Sequence, residues 1–540
     1  MTTEFDFVIV GGGTAGCVLA ARLSENPAHS VCLLEAGGDG KDLLIRMPAG
    51  VVAMMPGRPV KINNWALETT PQPGLNGRKG YQPRGKTLGG SSAINAMLYV
   101  RGNAKDYDEW ASLGCTGWSY ADVLPYFKKS ENNERGASAL QGDSGPLQVS
   151  NQKTPRPIST AFVNACANQG IAQNDDYNGA EQAGAFLYQV TQFHDAARNG
   201  ERCSAAAAYL HPVMARPNLT VITGAHARRI VFEGTTAVGV AYQKTGAAAE
   251  VRARREVVLS GGAFASPQLL MLSGVGPAGE LAKHRVPVVQ VLPGVGQNLQ
   301  DHLDSILSYT SKDSDMFGIG LGAAVTQIGQ FMQWRKDGTG LMATPFAEGG
   351  AFFKSSPDVD RPDLQLHFCI SIVDDHARKL HMGYGFSCHV CVVRPHSRGT
   401  VFLTSADPLD APGIDPQFLS DDRDLQLMRT GVKKMRSILQ DAAFKAYRHK
   451  ELYTANMQSD ADIDAHIRAR ADTIYHPVGT CKMGTDAMAV VDAQLRVHGL
   501  QHLRVVDASI MPRLIGGNTN APTAMIAEKA ADMMLAAHGH

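Results

Sequence analysis

Residues with the types and spacing to do chemistry gather at the two ends of this chain. Near the start, Gly11, Gly13 and Gly16 meet the spacing G-x-G-x-x-G. Glu35 follows about 20 residues after that loop, where a carboxylate can accept hydrogen bonds from an adenosine ribose. In such a loop the first glycine makes a tight turn, the second lets backbone approach a pyrophosphate, and the third lets helix pack on strand. Near the end, His476 precedes Pro477, which restricts its backbone. A neutral imidazole titrating near physiological pH is a suitable proton acceptor. Asn520 stands just ahead of a helical stretch carrying Pro522 in its first turn. The N-terminus of that helix can set positive dipole beside a developing negative charge.

Elements must position these groups. Residues 7–10, Phe-Val-Ile-Val, have the composition of a buried parallel strand, and residues 17–23 read as a helix. Residues 31–34 form a second strand that ends at Glu35. Strand, glycine loop, helix, strand and acid in this order mark a dinucleotide site, with the pyrophosphate on the helix N-terminus. Glu35 favours FAD or NAD over NADP, and the loop alone does not choose between those two.

Other dense motifs lie between. Residues 81–102 contain Gly85, Gly89 and Gly90 with Ser91, Ser92 and Asn95, a polar loop that can wrap a flat cofactor from its backbone. Residues 80–87 also match G-x-x-x-x-G-K-[ST], but no buried strand precedes them and Leu88-Gly89-Gly90 is a poor helix start. A nucleoside-triphosphate site is therefore not expected. Residues 257–260 read as a strand running into a Gly261-Gly262 turn, with Ser266 as N-cap and Pro267 at the first position of a helix. Residues 36–64 look like a long loop or lid in which Met54 and Met55 can line an apolar entrance. Residues 316–334, 422–440 and 459–471 read as helices. Residues 363–370 alternate apolar and polar, the pattern of an antiparallel sheet with one covered face.

Bulk properties bound the function. Lysine and arginine number 51 against 51 aspartates and glutamates, so no nucleic-acid footprint is present. At 540 residues the chain has room for two domains. The nine cysteines include one C-x-x-C, Cys388 and Cys391, within a strand-like run with no second pair, so buried thiols and no metal are expected. No basic n-region precedes the first strand and no apolar run reaches transmembrane length. A cytoplasmic protein is the expectation, with peripheral contact at an inner membrane compatible with the apolar segment 316–334.

Four motifs in order resemble the glucose–methanol–choline (GMC) oxidoreductase family: GGGTAG with Glu35, GKTLGGSSAINAMLYVRG, GAFASPQLLMLSGVG, and YHPVGTCKMG with GGNTNAPT. The resemblance spans nearly the whole chain and lies nearest the bacterial alcohol and choline dehydrogenase branch. It implies an α/β fold. A Rossmann-like FAD-binding domain would comprise residues 1–155, 204–305 and 471–540. A discontinuous α+β substrate domain on an antiparallel sheet would comprise 156–203 and 306–470. It implies FAD as cofactor, held by Gly11, Gly13, Thr14, Ala15, Gly16, Glu35, Ala36, Trp65, Gly85, Leu88, Gly89, Ser92, Asn95, Ala96, Met97, Ala227, Gly261, Asp507, Ala508, Asn518 and Thr519. His476 falls on the family's catalytic histidine and Asn520 on its partner, expected to hold the substrate oxygen. Members with covalent flavin of the choline oxidase type carry His where Ile94 stands here, so non-covalent FAD is expected. The implied reaction oxidises a primary alcohol (aliphatic, aromatic or polyether) to the aldehyde and passes electrons to a quinone or another non-oxygen acceptor. An oxidase making hydrogen peroxide, or a non-oxidising member such as a hydroxynitrile lyase, are the alternatives. Glu348 is a candidate for recognising a cationic head group such as choline. Oligomeric state is not legible.

Overall fold

A computed structural model describes residues 3–538. Two seven-stranded sheets organise them. In the first, Leu219–Ile222, Val31–Leu34, Glu4–Val10, Ala247–Leu259 and Leu503–Val505 run parallel. The N-terminal half of Ala247–Leu259 continues through Thr236–Lys244 to Ala225–Glu233 as an antiparallel extension. Phe7, Val8 and Ile9 are fully buried because both faces of this sheet are covered. Helices Thr14–Leu23 and Asn520–His538 pack on each other and join its core. The consequence for function is geometric. Strands ending at Val10, Leu34, Leu259 and Val505 are neighbours, so Gly11, Glu35, Ser260 and Asp507 arrive at one edge of the sheet. That edge, beyond the carboxyl ends of parallel strands, is where open α/β sheets bind ligands.

The second sheet is antiparallel, in the order Lys450–Leu452, Leu303–Ser311, Tyr384–Val392, Leu364–Cys369, Ala347–Phe353, Gly184–Leu187. The alternation in 363–370 predicts one wet face. Instead every residue of Leu364–Cys369 is buried. Helix Asp422–Gln440 covers one face, and Gly431 allows it close, since a Cβ there would lie 2.7 Å from Val390 Cγ2. The other face carries His367 and Cys369 and roofs a cavity against the first sheet. Of the polar positions, His367 lines that cavity, while Gln365 donates to Tyr188 Oη and Asn518 Oδ1 and Asp363 accepts from Ser355 N, so internal partners take the place of bulk water.

All first-sheet strands fall within 1–155, 204–305 and 471–540. Second-sheet strands fall within 156–203 and 306–470, except Leu303–Ser311, which crosses position 305, and Asp472–Thr473. Local expectations need three corrections. Helix Gly262–Leu272 begins before Ser266, so Ser266 is no N-cap; its hydroxyl donates to Asp507 Oδ2 at 2.6 Å, and Pro267 lies inside the helix. Residues 36–64 are no structureless lid. They contain the short helices Leu43–Arg46 and Val51–Met54, anchored by buried Ile45 and Met54. The apolar helix expected over 316–334 runs from Leu321 to Asp337. Thr400–Phe402 pairs with Gly413–Asp415 in a separate ribbon. All nine cysteines are free and buried.

Candidate active site

A cavity of about 1110 Å³ runs between the two sheets. At one end it is lined by Gly11, Gly13, Thr14, Ala15, Glu35, Ala36, Ala227, Gly261, Asp507 and Ala508, and at the other by His476, Asn518 and the roof residues His367 and His389. Trp65, Gly85, Ser92, Asn95, Ala96, Met97, Thr519 and Asn520 line it between.

The glycine end is built for close approach. Gly11 has φ +100°, and a Cβ on it would stand 2.5 Å from Ser260 O. A Cβ on Gly90 would stand 2.7 Å from Gly13 Cα, so loop and strand end meet with no side chain between them. Helix Thr14–Leu23 starts at Gly13 without a side-chain cap, which leaves its first-turn N–H groups and dipole for an anion. Glu35 takes hydrogen bonds from Gly12 N at 2.8 Å and Gly37 N at 2.7 Å. Burial pushes its carboxyl up to about 7 despite those bonds. A bare backbone floor, an uncapped helix start and a buried carboxylate along one elongated cavity fit FAD. Three expected contacts do not line it. A Cβ on Gly16 would lie 1.9 Å from Gly11 O, so Gly16 serves packing. Gly89 N donates to Gly12 O at 2.7 Å and Leu88 N to Gly38 O at 2.9 Å, so both hold the loop from behind.

At the far end a chain of hydrogen bonds sets one tautomer. Val393 O can only accept, so His302 Nε2, 3.1 Å away, carries a proton. Burial drives the pKa of His302 down to about 3, so the ring is neutral and its Nδ1 is bare. That Nδ1 lies 3.0 Å from His476 Nδ1, which must therefore donate. His476 Nε2 is left with its lone pair, and Asn518 Nδ2 donates to it at 3.2 Å. Asn518 Oδ1 accepts from Gln365 Nε2 at 3.1 Å, which fixes the amide in that orientation. Burial, with His302, His367 and Arg84 nearby, holds His476 well below the usual imidazole range. The backbone is held as firmly. His476 N donates to Asp301 Oδ1 at 2.9 Å. Tyr475 sits at φ +75°, a strained region that costs about 1–3 kcal/mol. It is kept there by Thr473 Oγ1 on its N–H at 2.7 Å and Arg84 on its carbonyl at 2.8 Å.

Two sequence expectations change. Asn520 does not stand beside His476; its Oδ1 accepts from Thr14 Oγ1 at 2.8 Å, at the helix start. Asn518, expected only as an FAD contact, takes the place next to the imidazole. Glu348 does not line the cavity. Its carboxylate accepts from Arg156 N (2.7 Å), Ser159 Oγ (2.8 Å) and Thr344 Oγ1 (3.0 Å), closing the start of helix Pro157–Asn168. Residues not singled out from the sequence are Asp301, His302, His367 and His389. The one signal in the sequence is the Gly-rich polar run 294–302, which ends in Asp301-His302.

The sequence matches the family description GMC oxidoreductase over residues 5–304 and again over 395–527. It is 46 % identical over 535 residues to the alcohol dehydrogenase [acceptor] of Pseudomonas putida, covering 98 % of this chain and 96 % of that protein. It is likewise 46 % identical to the mitochondrial choline dehydrogenase of Mus musculus, covering 98 % of this chain and 89 % of that one. The solved structure of pyridoxine 4-oxidase from Mesorbium loti superposes with a TM-score of 0.88 at 32 % identity, covering 99 % of this chain and 100 % of that one.

Proposed function

The chain belongs to the GMC oxidoreductase family of FAD-dependent flavoproteins, and from that premise we propose that it oxidises a neutral, largely apolar primary alcohol to the aldehyde with His476 as general base. The observation that supports this most is the unprotonated Nε2 of His476 at the cavity wall, its tautomer set by His302 and its lone pair held by the Asn518 amide, whose place a substrate hydroxyl takes when it gives up its proton. FAD held along the cavity supplies the hydride acceptor. His476 Nε2 takes the hydroxyl proton of the substrate. Asn518 has a second amide hydrogen to hold the substrate oxygen, and its orientation by Gln365 keeps that donor in place. The N-terminus of helix Asn520–His538 adds positive dipole at the cavity wall. Electrons then leave to a quinone or similar acceptor.

The walls around the reacting end favour a neutral substrate. Phe317, Ile319, Phe346, Ile372, Val373 and Leu380 line that region. The carboxylates lining the cavity, Glu35, Asp410 and Asp507, belong to the nucleotide side, and Glu348 is committed elsewhere. A trimethylammonium head would be desolvated without a counter-ion, which costs free energy. In an alcohol panel with an artificial electron acceptor, kcat/KM for a medium-chain primary alcohol should exceed that for choline by at least about tenfold. Without the acceptor, aerobic turnover should give little hydrogen peroxide. A choline preference, or peroxide stoichiometric with aldehyde, would overturn the corresponding half of this reading.

Ile94, 3 % exposed and lining the cavity, has no nucleophile for a bond to flavin. The intact mass of denatured enzyme should equal that of the polypeptide alone, with all FAD in the supernatant.

A further inference from the structure

Helix Leu321–Asp337 buries only Ala323 and Trp334. On its outer side Leu321, Val325, Ile328 and Met332 are 92 %, 74 %, 68 % and 63 % exposed. Their helical spacing puts all four on one narrow stripe. Two further exposed apolar side chains extend it. Leu380 and Met382 come from a loop held against the helix start, where Ile319 bridges to Gly383. Basic groups surround the stripe: Arg335 and Lys336 on the last helical turn, and Arg58, Lys61, Arg378 and Lys379 on the adjoining loops, against Asp337, Asp374 and Asp375, with Arg58 and Arg378 paired to Asp375 and Lys379 3.7 Å from Asp374. The loops are tied together by Arg58, which donates to Arg378 O at 2.8 Å. The cavity reaches solvent inside this surface, since Val52, Lys61, Ala324, Lys379 and Leu380 are both exposed and cavity-lining.

We propose that this apolar stripe and its basic rim form a docking surface for a lipid bilayer carrying anionic head groups. Large apolar side chains aligned along an exposed helix can enter the acyl boundary of a membrane, and lysine and arginine at its edge meet anionic head groups. The sequence of the helix by itself lacks a basic polar face; the fold supplies the charge from neighbouring loops. A second copy of the chain is the poorer occupant, because a two-fold contact would bring the same basic rims together. Docking here would also open the cavity directly to the bilayer, where apolar alcohols and lipid-soluble acceptors partition. That consequence rests on the proposed substrate class, whereas docking is measured without turnover, so the two can fail separately.

The test is sedimentation of the holoenzyme with vesicles of phosphatidylethanolamine and phosphatidylglycerol, beside vesicles of phosphatidylcholine alone. Wild type should bind the anionic vesicles more tightly, and less so at high salt. The variant V325E/I328E should bind at least about tenfold more weakly, while oxidising a short soluble alcohol with a water-soluble dye at the wild-type rate. No binding by wild type, or equal binding by wild type and variant, would overturn the proposal. So would a wild-type dimer that the variant abolishes without any effect of vesicles.

Discussion

His476→Ala is expected to lower turnover by roughly 10²–10⁴-fold, the usual worth of a general base, with FAD still bound. The size follows from what the imidazole does alone. His367 lines the same end of the cavity, but neither of its ring nitrogens has a hydrogen-bond partner to fix a tautomer, whereas His302 fixes that of His476. FAD retention follows from distance: the glycine loop, Glu35 and the Asp507 strand end hold the other end of the cavity and do not touch His476. The flavin spectrum of the variant checks the second part and steady-state kinetics the first. Near-wild-type turnover would remove His476 from the role. The pH profile carries the same claim in another form. A general base works deprotonated, so activity rises with pH through its pKa. Burial and the neighbouring rings push that pKa below the ordinary imidazole value of 6.5, because the charged form is the one penalised. The acid limb of kcat/KM in wild type should therefore lie on the acid side of 6.5, and His476→Ala should lose it. A limb on the alkaline side would mean that another group controls the reaction.

Asn518→Ala is expected to lower kcat by about 10²-fold, the scale for removing one oriented donor to a developing oxyanion. Asn520→Ala should lower kcat by less than about tenfold and act through FAD affinity instead. The two residues sit two positions apart with the same chemistry, and the fold separates their tasks. Asn518 reaches His476 and is oriented by Gln365, whereas Asn520 bonds Thr14 at the pyrophosphate turn. Kinetics at saturating FAD, with FAD dissociation measured beside them, separate the two effects. A larger kcat loss for Asn520→Ala would reverse the assignment.

This pair also shows where sequence reading stops. The glycine loop was legible because its chemistry is local: strand, turn and helix are contiguous, and residue type alone dictates the tight turn at Gly11. Glu35 and the parallel sheet followed from the same run. The two-sheet architecture was legible from strand composition together with the family resemblance. The direction of an asparagine side chain in GGNTNAPT was not, because it depends on what each reaches across the fold. His302 stayed hidden for the same reason. Its partner lies 174 residues away, and its value comes from Val393 O fixing a proton, which no spacing records. Glu348 misled because a carboxylate in an apolar strand looks functional. Buried polar groups are usually satisfied, and helix Pro157–Asn168 supplied the donors. The strand over 363–370 misled in the opposite sense, because its polar positions are buried on internal partners or, for His367, on the cavity.

The most direct measurement is anaerobic mixing of the holoenzyme with a stoichiometric amount of a medium-chain primary alcohol while the visible absorption of oxidised flavin is followed. Rapid bleaching with one aldehyde formed per flavin, slowed roughly 10²–10⁴-fold in His476→Ala, is the expected result. Flavin that stays oxidised with every primary alcohol offered, or bleaching equally fast in both proteins, would contradict it.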